Sequence, residues 1–248
     1  MLIFEGLLLG IAIGTVLGVV GAGGAILAVP GLVAVMGLSA TAATTSSIVI
    51  VGAAALSGAA RRVKSKNIDI KTGVTFSLLG FAGTLLGTRL VPLFNDRILI
   101  LLFALLMFAA AIGMWRNRVQ NKEITSASWP LVILIASGIG VLTGLFGIGG
   151  GFLIVPALVL ILGVEVKLAA GTSLVAIALN SVIAFSLRHQ YWHLVPWGSI
   201  LVFTGAAVIA SFVSAPFAAK LPAKDLARAF SVLVVIVALF MVISQGFK

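Results

Sequence analysis

Residues 14–30 read GTVLGVVGAGGAILAVP, and residues 140–156 read GVLTGLFGIGGGFLIVP. Gly14, Gly18, Gly21, Gly23, Gly24 and Pro30 recur as Gly140, Gly144, Gly147, Gly149, Gly150 and Pro156, at one offset with no gap. The register continues through Leu27/Leu153, Val29/Val155, Gly37/Gly163, Ala43/Ala169, Ser47/Ser173 and Arg62/Arg188. Shared apolar composition produces chance Leu and Val matches, but it does not readily align Gly and Pro. The chain is read as a duplication, and internal repeats of this kind mark transporters. A duplicated helical bundle without a transport role is the alternative.

The surrounding composition names the solvent. Of 248 residues, 61% are apolar and 9% charged, with a mean hydropathy of +1.28. A soluble domain would carry about a quarter charged residues, so this chain cannot cover itself with polar surface. Disorder is excluded for the same reason. With no cysteine there is no disulfide framework and no Cys metal site. The formal charge of +10 sits between apolar runs. That places it with the positive-inside rule and not with nucleic acid. The N-terminus has Glu5 and no basic residue, so it does not read as a signal peptide.

A spanning helix needs about 20 apolar residues. Runs occur at roughly 5–20, 25–37, 40–60, 72–92 and 97–115, and again at 130–146, 152–163, 167–187, 194–217 and 226–245. The second run of each set is short and follows the glycine cluster. The expected fold is an all-α polytopic membrane protein. Its two inverted repeats each hold a Gly-broken helix pair, as two short spans or a re-entrant hairpin, plus three spanning helices. Residues 1–115 form the first repeat, 116–128 a cytoplasmic linker and 129–248 the second repeat. Inversion is read from charge. The basic loop of the first half holds Arg61, Arg62, Lys64, Lys66 and Lys71, whereas that of the second holds Lys220, Lys224 and Arg228, one loop later. Arg89 and Arg97 then fall at the outer interface, against the trend.

Gly14, Gly18, Gly140 and Gly144 are spaced for close helix packing. Gly21, Gly23 and Gly24, and Gly147, Gly149, Gly150 and Gly151, break the helix instead. Non-helical backbone at membrane depth survives only when buried in protein or lining a cavity. A helix starting there offers free N–H groups and a positive dipole end, which suits an anion. The two loops are expected to meet near the midplane from opposite faces. A tight packing crossover is the alternative. The runs that follow start with Thr44, Thr45, Ser46 and Ser47, and with Thr172 and Ser173, hydroxyls able to donate to an oxyanion. They can equally bond back to their own helix. Asn180, mid-span, is either a ligand or helix glue.

The repeated Gly-x-Gly-Gly-x4-Val-Pro element, with a Thr/Ser-rich helix start after each copy, resembles the TauE/SafE sulfite exporter family over essentially the whole chain. The resemblance implies a prokaryotic transporter in the cytoplasmic membrane for sulfite, sulfoacetate or related organosulfonates. Ala25 stands where the second copy has Gly151, which makes the first loop less symmetric with the second. No Asp or Glu reads as mid-span, so a buried carboxylate proton relay is not expected. His189 and His193 read as a solvated loop. Export of an oxyanion is favoured by the inside-negative potential, by about 2.3 kcal/mol per charge per 100 mV. An anion channel or an ion-coupled uptake permease is the rival. An intramembrane serine protease built on Ser173 is the remote one, and no enzyme activity is expected. No cofactor or metal is expected. The expected partners are the small anion, the lipid bilayer and, as an open question, a second copy in a homodimer.

Overall fold

The computed structural model describes residues 2–63, 67–90, 96–116, 129–146 and 151–246. The chain runs through α1 (Leu2–Val20), α2 (Gly23–Met36), α3 (Ala40–Val63), α4 (Ile70–Leu90), α5 (Asp96–Arg116), α6 (Trp129–Phe146), α7 (Gly151–Pro156), α8 (Val166–Leu187), α9 (Trp197–Lys220) and α10 (Ala223–Gly246). No strand occurs among the described residues. Thr41–Val63, Ile70–Gly87, Val166–Leu187 and Trp197–Ala218 are long and apolar enough to cross a membrane. The outer surface is apolar too: Leu78, Leu105, Leu134, Val182 and Ile209 are each about two-thirds exposed or more. Such a surface suits contact with lipid. The protein is a multi-pass, all-α membrane protein.

Local chemistry sets the helix ends. The Ser39 hydroxyl accepts from the Ala42 N–H (3.3 Å) at the start of α3. Asp69 caps α4, with Oδ1 accepting from the Thr72 N–H (3.1 Å) and Oδ2 from the Thr72 hydroxyl (2.6 Å). Gly37 ends α2 in the left-handed region (φ +64°), its N–H donating to the Val33 carbonyl. The repeat-matched Gly163 takes the same conformation (φ +67°) after the second short helix. That second helix differs inside. α7 continues past Pro156 as a π-helical turn, Ala157–Ile161, whereas α2 stays α-helical through Pro30. Proline lacks an N–H, and a widened turn is one way to absorb the loss.

Glycine seams join the two halves. Gly10, Gly14 and Gly18 of α1 press on Phe203, Ala207 and Ser211 of α9, and a Cβ at Gly14 would overlap the Ala207 carbonyl oxygen. In the same way Gly80 and Gly83 of α4 press on Ala136, Ser137 and Gly140 of α6. These glycines pack helices, as their spacing predicts; the side of Gly144 lies outside the described residues. In both seams the numbers rise together, so each pair runs parallel.

Other contacts fix the remaining directions. Gly52 meets Ser181, Gly58 meets Leu174 and Arg62 reaches Lys167, so α3 and α8 are antiparallel. Ser57 Oγ donates to the Val208 carbonyl (3.0 Å), and Arg61 lies over the Phe212 ring (5.2 Å), so α3 and α9 are parallel. Gly73 meets Val175 and Ser77 meets Asn180, so α4 and α8 are parallel. α1, α3 and α9 therefore point one way, and α4, α6 and α8 the other. Arg61, Arg62, Lys71, Lys167 and Lys220 consequently share one end of the bundle. Arg228, over the Trp115 ring (5.8 Å), adds the start of α10 and the end of α5 to it. Arg188 and Arg89 lie at the opposite end.

Candidate functional site

α1 stops where Gly21 turns left-handed (φ +84°), its N–H donating to the Leu17 carbonyl (2.9 Å). Glycine is required here for space as well as conformation. A Cβ would lie 2.5 Å from the Ala170 carbonyl oxygen and 3.0 Å from Ser173 Oγ of α8. Ala22 follows in helical geometry with no side-chain cap, and α2 starts at Gly23. Residues 20–26 are buried. A helix N-terminus thus begins inside the protein, uncapped by any side chain, beside the first turns of α8. α2 then retraces α1, with Gly24 against Ile13 and Leu17 and Gly31 against Leu9.

The depth of this break corrects the expectation of two loops meeting at the midplane. Arg62, in the last turn of α3, donates from Nη2 to the carbonyls of Gly18 (2.6 Å) and Val19 (3.0 Å). Gly21 therefore lies level with the basic end of the bundle. The physical reason is α1 itself: its 19 residues run almost the length of its neighbours before the chain breaks. Arg62 is only 3% exposed. It does not reach outward as a surface anchor; it caps the negative end of α1. Its Nη1 also reaches the Lys167 carbonyl of α8 (3.5 Å). Beside it, the Asp69 N–H donates to Thr172 Oγ1 (3.0 Å), and the Asn67 carbonyl rests on Gly171.

The hydroxyls divide between the two ends. Ser173 adjoins Gly21, and its hydroxyl donates to the Ala170 carbonyl (2.9 Å). Thr44, Thr45, Ser46 and Ser47 stand at the other end of α3, roughly 22–27 Å from Arg62 at 1.5 Å per residue. Thr44 and Thr45 both donate to the Thr41 carbonyl, and Ser47 donates to that of Thr44. Most of these hydroxyls thus bond back to their own helix, the bland alternative. Ser46 differs: it is fully buried, and its Oγ has no partner among the described residues. Thr44 also accepts from Arg188 Nη1 (2.9 Å). Burial lowers the pKa of Arg188, and Tyr191 raises it. Gly147, Gly149 and Gly150 lie outside the described residues; Gly151 opens α7.

Asn180 lies between the clusters. Its Oδ1 accepts from the Ser77 hydroxyl of α4, so it joins two helices. Ser77 is a residue that sequence reasoning missed. A lone serine in an apolar run carries no signal until its partner is known.

The protease alternative fails on geometry. His189 and His193 are exposed on the 3₁₀ turn after α8, and His189 is about 24 Å along α8 from Ser173. The same turn carries Trp192 stacked on Phe185 (4.4 Å), with Trp197 edge-on at 6.1 Å. Such amphipathic rings suit a membrane interface.

Comparison with known proteins agrees. The family described as "Sulfite exporter TauE/SafE" matches residues 6–241. A "Probable membrane transporter protein" of Xylella fastidiosa (strain 9a5c) is 31% identical, over 93% of this chain and 91% of its own. The "Probable membrane transporter protein YunE" of Bacillus subtilis (strain 168) is 25% identical, over 92% and 93%. No solved structure matches. This kinship accounts for a glycine-broken helical bundle with an apolar surface: the chain belongs to the TauE/SafE sulfite exporter family of membrane transporters.

Proposed function

We propose that the protein carries a small sulfur-containing oxyanion (sulfite, sulfoacetate or a related organosulfonate) out across the cytoplasmic membrane. The observation that carries this reading is the uncapped N-terminus of α2, buried at Gly23 behind the Gly21 break and walled by Ser173. Such an end is electropositive without a fixed charge. The surroundings suit the same cargo. Among the described residues the buried polar side chains are hydroxyls and one guanidinium, with no carboxylate. By the repeat register, Gly147, Gly149, Gly150 and Gly151 are read as the second half's counterpart half-site, together with Thr44, Thr45, Ser46 and Ser47; the first three lie outside the described residues. Thr172 completes the first, and Asn180 stands between the two.

The halves, 1–115 and 129–248 joined by 116–128, are read as an inverted repeat. The opposite senses of α1 and α6, α3 and α8, and α4 and α9 support this. The positive-inside rule puts the basic end in the cytoplasm. Alternating access then moves the anion between two half-sites at different depths. The membrane potential alone can drive export.

A thermal-shift screen over sulfite, thiosulfate, sulfate, sulfoacetate and taurine tests the cargo. A ligand at 100 times its Kd stabilises by about 2.7 kcal/mol. Flat melting curves for all five would remove the proposal. Counterflow in proteoliposomes separates carrier from channel, because only a carrier accelerates labelled uptake when trans anion is present. Gly23→Val and Gly149→Val should each abolish transport while the protein still reaches the membrane.

A further inference from the structure

Arg62 and Arg188 occupy matched positions in the two repeats, yet the structure holds them differently. Arg62 is buried and ties three elements at the basic end: the Gly18 and Val19 carbonyls of α1, the Lys167 carbonyl of α8, and α3 itself. Arg188, at the other end of the antiparallel α3/α8 pair, is half-buried, and among the described residues its guanidinium donates to one group, the Thr44 hydroxyl. The repeat register supplies the missing partners. Gly144 and Leu145, in the last turn of α6, match Gly18 and Val19, and Thr41 matches Lys167. Arg188 already sits on Thr44, one turn from Thr41, and Thr44 itself donates to the Thr41 carbonyl.

We propose that Arg62 and Arg188 are reciprocal latches on the two ends of the transport path. In this structure the Arg62 latch is closed and seals the basic end. In the alternate state Arg188 takes the carbonyls of Gly144, Leu145 and Thr41, and Arg62 lets go of its own. The chemistry suits a switch. A guanidinium on helix-terminal carbonyls makes strong, charge-assisted bonds, but those bonds are to backbone and can be exchanged without breaking an ion pair. The same groups exist at both ends, so closing one latch offsets opening the other, and neither state lies far below its alternative. Arg62 and Arg188 act as positioning residues: they touch the gate elements and need not touch the anion. The inference rests on the alternating-access reading, but its readout requires no substrate.

The chain has no native cysteine, so matched reporters, Ser173→Cys near the basic end and Ser47→Cys near the other, can be labelled with a membrane-impermeant thiol reagent from either side of oriented vesicles. Arg62→Gln should raise the labelling rate of the Ser173→Cys reporter at least about tenfold, the scale of one lost charged hydrogen bond, and lower that of the Ser47→Cys reporter. Arg188→Gln should do the reverse at both. Arg62→Lys, which keeps the charge without the two-pronged fork, should restore part of the protection. Labelling that rises at both reporters together would make Arg62 a mere pin in a packed core and overturn the latch. So would labelling that moves at neither. If Arg62→Gln does not fold, the Arg188→Gln arm decides alone, and an unchanged Ser173→Cys rate there refutes the proposal. Anion stabilisation of the unaltered protein is scored separately. A failed latch leaves it intact, whereas a failed cargo reading abolishes it while the reporters still respond.

Discussion

Gly21 and Gly37 form a matched experiment. Both are left-handed, at φ +84° and +64°. An alanine at either pays the left-handed cost of an L residue, about 1–2 kcal/mol. Around Gly37 nothing lies within 4 Å, so Gly37→Ala should cost that and no more. Around Gly21 the new methyl meets the Ala170 carbonyl oxygen at 2.5 Å, the Ala170 Cα at 2.9 Å and Ser173 Oγ at 3.0 Å. Two of these three are backbone, which cannot rotate aside. Forcing α8 away adds an overpacking cost of about 1–3 kcal/mol. Gly21→Ala should therefore lose about 2–5 kcal/mol in all. In detergent, at roughly 2–4 °C per kcal/mol for a chain of this size, Gly37→Ala should melt a few degrees below the unaltered protein and Gly21→Ala clearly lower still. Transport should follow the same order, because the displaced segment carries Ser173. If Gly21→Ala melts at or above Gly37→Ala, the Gly21 loop does not press on α8, and the wall of the first half-site is wrong.

Gly14→Val and Gly140→Val should each cut the yield of folded protein, because their branched side chains would overlap the Ala207 and Gly80 carbonyls across the two seams; size-exclusion profiles in detergent check this. A double-mutant cycle on Ser77→Ala and Asn180→Ala should show a coupling of about 0.6–2 kcal/mol, the range of interhelical hydrogen bonds in membranes; additive melting shifts would show that the pair contributes nothing. Asp69→Ala should lose about 1 kcal/mol of cap at α4, measured as a lower melting temperature that Asp69→Asn largely restores. Single cysteines replacing Lys71 and Lys224 should label from the same side of the membrane and one replacing His193 from the other; any other pattern breaks the helix directions given above.

The spans were legible because lipid imposes one requirement, long apolar runs, on every crossing. The runs read at 25–37 and 167–187 correspond to α2 and α8. The packing role of Gly14 and Gly140 was legible for a similar reason, since a four-residue glycine spacing has one common use in lipid. The depth of the Gly21 break was not. It depends on how far α1 travels beside α9 and on which carbonyls Arg62 reaches, and backbone acceptors leave no trace in residue types. Arg62 itself read as one more charge of a basic loop, because sequence shows charge but not direction. The hydroxyls of Thr45, Ser47 and Ser173 looked available, and their own helices had already claimed them. The π turn after Pro156 was equally invisible, since Pro30 in the matched position leaves its helix regular.

The seam between α1 and α9 also sets an order of assembly during synthesis. α1 leaves the ribosome well before α9, and the helix that covers Gly10, Gly14 and Gly18 is finished roughly 200 residues later. At common elongation rates that is a wait of about 10–40 s. Through that interval the grooved face of α1 stands against lipid or against the insertion machinery, with no native neighbour across it. The glycine face of α1 thus waits for its cover long after α2 has packed on another side, and a stalled chain ending before α9 is one that membrane quality control would find with that face still bare.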